Sequence, residues 1–309
     1  MSAQAVLFDA PGPKARRRHL ILTIVGVVIV IGILAAVVYQ LEARGQLTAE
    51  KWMPFLTVSA WRDYLARGLI GTAIAAALSV VLAGALGLLL GIGRLAHTRW
   101  IRWVSGVIVE FFRAVPVLIM MIFLFNALLV VRWFRNDVNP LMAVVVALTL
   151  YNGSVIAELV RSGVHALPKG QSEAGLSIGL TPSQTLRSIQ LPQALVAMLP
   201  ALIGQLVVVV KDSALGYQIT YSELLTWSKT LGSAFANPAP AYIVAAGLFI
   251  LINWSLTRLA RAVEHRLRKR TVTAAPLTTA APTIVQGGVE PGGPSNDLVE
   301  PYQPPPPRD

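Results

Sequence analysis

Charged and amide side chains interrupt the long apolar runs of this sequence at only a few places, and those places are where chemistry could be done. Glu110 and Arg113 are spaced i, i+3, so on a helix they share a face and can pair. Either they gate or line a solute path at one end of an apolar segment, or they form an interfacial ion pair that orients the helix. Asn152 and Glu158 lie six residues apart in another apolar run. Asn152 can line a path and bond a carboxylate or an ammonium group; it can equally tie two helices together, for about 0.6–2 kcal/mol. Glu158 has Arg161 one turn on, which suits a local pair better than contact with a solute. Lys211 and Asp212 close a further run. Adjacent residues do not face each other on a helix, so their partners are expected on other helices. Ionisable groups within a membrane are costly, and each one is a functional hypothesis. The chemistry on offer is recognition and gating of a charged solute. The chain has no Cys, which excludes disulfides, thiol chemistry and Cys-based metal sites. Its four His are scattered without metal-ligand spacing, and no Gly-x4-Gly-Lys-Ser/Thr run offers a nucleotide loop.

The elements that must position these groups are membrane spans. Of 309 residues, 55% are hydrophobic and 13% charged, and the mean hydropathy is +0.63. That is too apolar for a soluble domain of this length. The net charge of +11 fits Lys and Arg concentrated in cytoplasmic loops better than nucleic-acid binding. A spanning helix needs about 20 mostly apolar residues. Six candidates meet this: about Leu20–Gln40, Leu69–Ile92, a third ending near Val131, Leu141–Val160, Ala194–Val210 and Tyr242–Leu259. The first follows Lys14 and Arg16 to Arg18; it is longer than a signal-peptide core of ~7–15 residues and is expected to be retained. The second holds Gly87-Leu-Leu-Leu-Gly91, a spacing that permits close helix approach in lipid or arises by chance. Before the third, Arg99, Trp100, Arg102 and Trp103 suggest a segment lying at the membrane surface, and the span itself begins between Glu110 and Pro116. Trp52, Trp61 and Trp227 suit interface anchoring. The sequence therefore predicts an all-α polytopic membrane protein. The segments before the first span, between the second and third, between the fourth and fifth, and after the sixth are richer in Lys and Arg, which places both termini in the cytoplasm. Residues 271–309 are Pro-, Thr-, Ala- and Gly-rich without apolar period and are expected to be disordered.

Between the fourth and fifth spans, on the cytoplasmic side by this count, the stretch EAGLSIGLTPSQTLRSIQLP breaks the apolar pattern. Pro168 suits a helix start, and a helix over about Lys169–Ile178 ends at Gly179, which can take the left-handed C′ position. Thr181, Pro182 and Gln184 form a capping-box start for a second helix, which reaches about Gln190 before Leu191-Pro192 turns the chain back into the membrane. Two helices this short do not persist alone in water, so they must pack on something. A plain connector has no need of two separately capped helices; the pattern points to a docking element.

Glu173-Ala174-Gly175, three residues, Gly179, nine residues, then Ile189-Gln190-Leu191-Pro192 resembles the EAA loop of ABC-importer permeases, with Gly175 at the second Ala. The resemblance implies that this loop is a coupling helix seated in a cleft of a cytoplasmic ATPase, and Gly at 175 is expected to loosen it. Glu110-Phe-Phe-Arg113-Ala-Val-Pro116, Leu148-Thr-Leu-Tyr151-Asn152, Ala157-Glu158 and Lys211-Asp212-Ser213-Ala-Leu215 resemble the polar amino-acid permeases of this superfamily. The N-terminal stretch VLFDAPGPKARRRH and the additional first helix are similar to the GluD-type glutamate-importer permeases of actinobacteria. The likeness runs over about residues 5–270. It implies the type I ABC-importer permease fold, with a cytoplasmic segment at 1–19, an additional helix at 20–40, a transmembrane domain at 66–262 and a coupling loop at 166–192. It also implies import of a polar amino acid, glutamate first, with glutamine, aspartate or a basic amino acid as alternatives. Lys211 near the entrance would suit the excess negative charge of an acidic amino acid, and Ser213 lies in the same motif. The implied partners are an ATPase dimer, a second permease (a related chain or a second copy), an extracytoplasmic amino-acid-binding protein and the lipid bilayer. No nucleic acid, cofactor or catalysis is implied for this chain.

Two other classes compete. An ion-coupled secondary transporter would show paired inverted repeats with acids at the midplane, whereas here the acids lie near span ends. A membrane scaffold recruiting partners through its Pro-rich tail would leave the polar residues of the spans idle.

Overall fold

The computed structural model describes residues 12–273. The chain divides into a unit over Met1–Lys269 and a C-terminal unit over Arg270–Asp309; the segment expected to be disordered lies, past residue 273, outside the described residues. Among the described residues every regular element is helical.

Helix α1 (Pro13–Ala43) extends the first predicted span at both ends and buries none of its residues. Short helical turns carry the chain to a π turn at Trp61–Leu65, which runs without a break into α2 (Ala66–Arg94). Of the three expected anchors, Trp52 and Trp61 donate their indole N–H to the carbonyls of Gln46 and Phe55, while Trp227 sits edge-on to Tyr64 and under Arg67. Helices α3 (Arg99–Ala114) and α4 (Val117–Val131) meet at a bend of 98°. The break is at Val115-Pro116, where proline disfavours the α conformation of the residue before it. Helix α5 (Asn139–His165) is the central element, packed along α2 and also against α3, α4 and the helix that follows the loop.

The spacing of Gly87 and Gly91 is a packing feature. A Cβ on Gly87 would lie 2.5 Å from Ile156 and 2.8 Å from the Gly153 carbonyl, and one on Gly91 would lie 2.8 Å from Val160. Both glycines are buried, so α2 and α5 touch backbone to side chain with no room for a methyl group. In lipid, where apolar surface alone gives helices no reason to associate, such close contact supplies the dispersion that holds them.

Helix α6 (Lys169–Ser177) leads into α7, which runs from Pro182 to Ile219. Here the structure corrects the expected turn at Leu191-Pro192. The chain passes straight through these residues, by way of a π turn at Leu186–Gln190 in which the Leu191 N–H bonds to the Leu186 carbonyl. The wider turn accommodates a proline that lacks an N–H and would crowd the carbonyl four residues back. Loop and span are therefore one rod. On the far side of α7, helix α8 (Leu224–Ala234) is capped by the fully buried Glu223, whose carboxylate accepts the Leu225 and Thr226 N–H groups at 2.7 Å. Burial pushes this carboxyl up from its ordinary range. Helix α9 (Pro238–Thr273) closes the described chain.

Candidate functional site

The polar groups singled out above fall into three places along the length of the helices. The first is an ion cluster where α2, α3 and α5 meet. Arg94, in the last turn of α2, donates one guanidinium nitrogen to Glu158 at 2.6 Å and another to Glu110 at 3.1 Å. Arg161 closes on Glu158 at 2.6 Å, one turn along α5. Arg113 stands off, 3.7 Å from Glu110 and 3.9 Å from Glu158. The local pairs expected from spacing, Glu110 with Arg113 and Glu158 with Arg161, are both present, but the group that joins them is Arg94. Its planar fork can hold two carboxylates at once, and only 14% of its side chain is exposed. Nothing in the sequence marks Arg94, because spacing does not tell which residue of a distant helix a carboxylate will meet. Glu110, Arg113 and Glu158 also line a cavity of about 430 Å³ with Tyr151 and Val155.

The second place is deeper. Asn152 is fully buried, donates to the Leu148 carbonyl at 2.8 Å and accepts from Gln205 of α7 at 2.6 Å. Asn152 is thus bonded across helices, the second of the two readings its position allowed. Gln205 itself was missed, although a lone amide in the run ALIGQLVVVV carries the same signal as Asn152. It also borders an apolar cavity of about 200 Å³ between α2, α5 and α7.

The third place is the opposite end of α7. Ala194 and Met198 pack with Val160 near the ion cluster, so Lys211 stands about 20 Å further along, at the ~1.5 Å rise per residue of a helix. The partners expected for Lys211 and Asp212 on other helices are not made among the described residues. Lys211 is exposed instead, while Ser213 is buried and donates to the Val210 carbonyl at 2.7 Å. The structure does not bring this group to the ion cluster.

Outside the spans, α6 and the start of α7 form a rigid hairpin. Gly179 has φ +85°. Its N–H bonds to the Leu176 carbonyl, and the Leu180 N–H bonds to the Gly175 carbonyl, the paired bonds of a Schellman end. Thr181 and Gln184 form a complete capping box. Gly175 has a packing role. It is buried, and a Cβ there would lie 2.7 Å from Thr185 and 3.1 Å from Ile189, so glycine lets the two arms close on each other. Gln171 and Gln193 bond across the arms at 3.1 Å. Glu173, Ala174 and Ile178 remain on the exposed side, free to meet another surface; Leu191 and Pro192 carry the arm on into the span.

A family model for the binding-protein-dependent transport system inner membrane component matches residues 83–269. The chain belongs to this family. It is 47% identical over 229 residues to the glutamate transport system permease protein GluD of Corynebacterium glutamicum, covering 74% of this chain and 84% of that relative. It is 32% identical over 206 residues to the probable glutamine ABC transporter permease protein GlnP of Bacillus subtilis, covering 66% of this chain and 93% of the relative. A crystal structure of an amino acid ABC transporter with histidines matches with a TM-score of 0.62 at 26% identity, over 69% of this chain and 98% of that one. The fold is that of the type I ABC-importer permeases, and the protein is a multi-pass membrane component of a binding-protein-dependent transport system.

Proposed function

We propose that this chain is the permease subunit of an ATP-driven importer for polar amino acids, with glutamate as its substrate. The observation that carries the reading is the capped hairpin in a chain 47% identical to a glutamate permease. The second arm of the hairpin is continuous with α7 through the π turn, and the first arm packs on it at Gly175, so a force applied at Glu173 to Gly179 passes through that contact into a span. An ATPase dimer in the cytoplasm supplies that force; this chain carries out no covalent chemistry and holds no cofactor. Substrate arrives on an external binding protein at the end of the molecule that carries Lys211, Asp212 and Ser213. Lys211 offers an unpaired cation to a solute with excess negative charge. Asn152 and Gln205 lie between, and Glu110, Arg113 and Glu158 line the cavity at the inner end. A second permease completes the path. Both termini lie in the cytoplasm. Glutamine is the runner-up substrate, favoured by the likeness to GlnP.

The test is uptake of labelled glutamate in cells with and without the gene, competed by excess glutamine, aspartate and arginine. Loss of uptake on deletion, with competition by acidic amino acids alone, supports the reading; unchanged glutamate uptake removes it. Coupling has its own test. Gly179→Pro cannot adopt φ +85°, and Glu173→Lys reverses charge on the exposed face. Each is expected to leave the protein in the membrane at normal level while uptake falls at least tenfold. Normal uptake by well-expressed Gly179→Pro protein would sink the coupling role.

A further inference from the structure

Helix α3 has three sides, and only two are used. Ser105 and Val109 face the protein. One edge carries Glu110 and Arg113 to the ion cluster. The remaining side is apolar and open: Trp100 is 75% exposed, Trp103 63% and Phe111 59%, and the two indoles meet edge-on at 6.1 Å. Arg99 and Arg102 lie at the start of the helix, both exposed. Neither has an acidic partner among the described residues; Arg102 donates only to the Ala96 carbonyl, at 3.3 Å. The one carboxylate of α3, Glu110, is already taken by Arg94 and Arg113. The 98° bend then sends the chain into α4, whose one polar side chain, Asn126, donates to the Ile122 carbonyl of its own helix.

We propose that α3 is a binding surface for anionic phospholipid headgroups, with Arg99 and Arg102 on the headgroups and Trp100, Trp103, Val107 and Phe111 at the acyl boundary. An amphipathic helix with tryptophans and basic residues lies in the plane of the interface, and the bend marks the depth at which the chain leaves that plane. Zwitterionic lipid would suit the aromatic side but leave two guanidinium groups without counter-charge, whereas an anionic surface attracts each of them. Because α3 also carries Glu110 and Arg113, the lipid grips the same helix that the ion cluster grips. This inference needs the membrane-spanning fold but not the identity of the solute.

The test uses the assembled transporter, purified with the full-length chain, in phosphatidylcholine nanodiscs. These are doped with phosphatidylglycerol or phosphatidylcholine carrying a doxyl quencher near the headgroup. The signal of Trp100 and Trp103 is taken as the difference from a Trp100→Phe/Trp103→Phe variant. Half-maximal quenching is expected at a mole fraction about fivefold lower for phosphatidylglycerol. The preference is expected to vanish in Arg99→Gln/Arg102→Gln and to persist in Arg99→Lys/Arg102→Lys. Equal quenching by both lipids in the wild type, or a preference that survives Arg99→Gln/Arg102→Gln, overturns the proposal. So does absence of quenching by either lipid, which would place a protein over this side of α3.

Discussion

Helices α1 and α5 are both long enough to cross a bilayer, at 31 and 27 residues. The more apolar of the two, α1, has a best window of mean hydropathy 3.2, none of which is buried in the protein. The corresponding window of α5 averages 1.8, and 56% of it is buried. In water the ranking would be reversed, since apolar surface drives burial. In lipid a Leu or Val side chain is as well solvated by acyl chains as by another helix, so hydrophobicity does not select partners. Small residues and hydrogen-bonding groups do, and α5 has them: Gly153 opposite Leu86 of α2, Asn152 bonded to Gln205, and Glu158 in the ion cluster.

This contrast can be broken or sharpened by substitution. The largest effect is expected at the α2–α5 contact. Gly87→Leu places a side chain where even a Cβ meets Ile156 at 2.5 Å; overpacking of this kind costs about 1–3 kcal/mol, read as a lower thermal unfolding midpoint in detergent. Gly26→Leu in α1, where a Cβ meets nothing within 4 Å, is the paired control and should leave that midpoint unchanged. An equal loss at both sites would show that α1 is packed after all.

Next comes Arg94→Gln, which leaves Glu110 and Glu158 without their common partner. Full burial would put the cost near 3–5 kcal/mol. Glu110 is largely exposed and Glu158 partly so, so screening by water reduces it to about 1–2 kcal/mol. Arg94→Lys should recover only part of it, because an ammonium cannot present two forked donors; complete rescue by Lys would reduce the cluster to a simple charge. The smallest measurable effect is expected for the Asn152–Gln205 bond. A double-mutant cycle with Asn152→Leu and Gln205→Leu should return a coupling of about 0.6–2 kcal/mol. Zero coupling would free Asn152 for contact with the solute.

Much of this architecture was legible before any coordinates. The hairpin caps were readable because capping depends on residues three to five apart: Thr181 and Gln184 must find each other in any helix that starts there, and Gly179 fits a left-handed end whatever surrounds it. Five of the six expected spans, with the bent pair α3–α4 standing where the third was placed, followed from the same local cause, the length of an apolar run against the thickness of a membrane. The misread turn and the unseen packing role of Gly175 both arose where a local rule met a neighbour it could not see. Gly175 looks like a helix weakener until Thr185 and Ile189 are packed on it. Leu191-Pro192 looks like a turn until a π turn makes space for the proline.

For this protein, then, composition, periodicity and cap chemistry were enough to establish a polytopic helical membrane chain, a capped hairpin between two of its spans, and the ion pairs one turn apart. Those features are set by interactions within a few residues along the chain. Only tertiary structure decided that Arg94 joins Glu110 to Glu158, that Gln205 answers Asn152, that Lys211 stands about 20 Å from the ion cluster, and that α1 stays unpacked while α5 becomes the centre. Each of these depends on which helix faces which across the bilayer. In a solvent that does not rank apolar surfaces, that choice is made by a few glycines and polar groups whose partners lie tens of residues away.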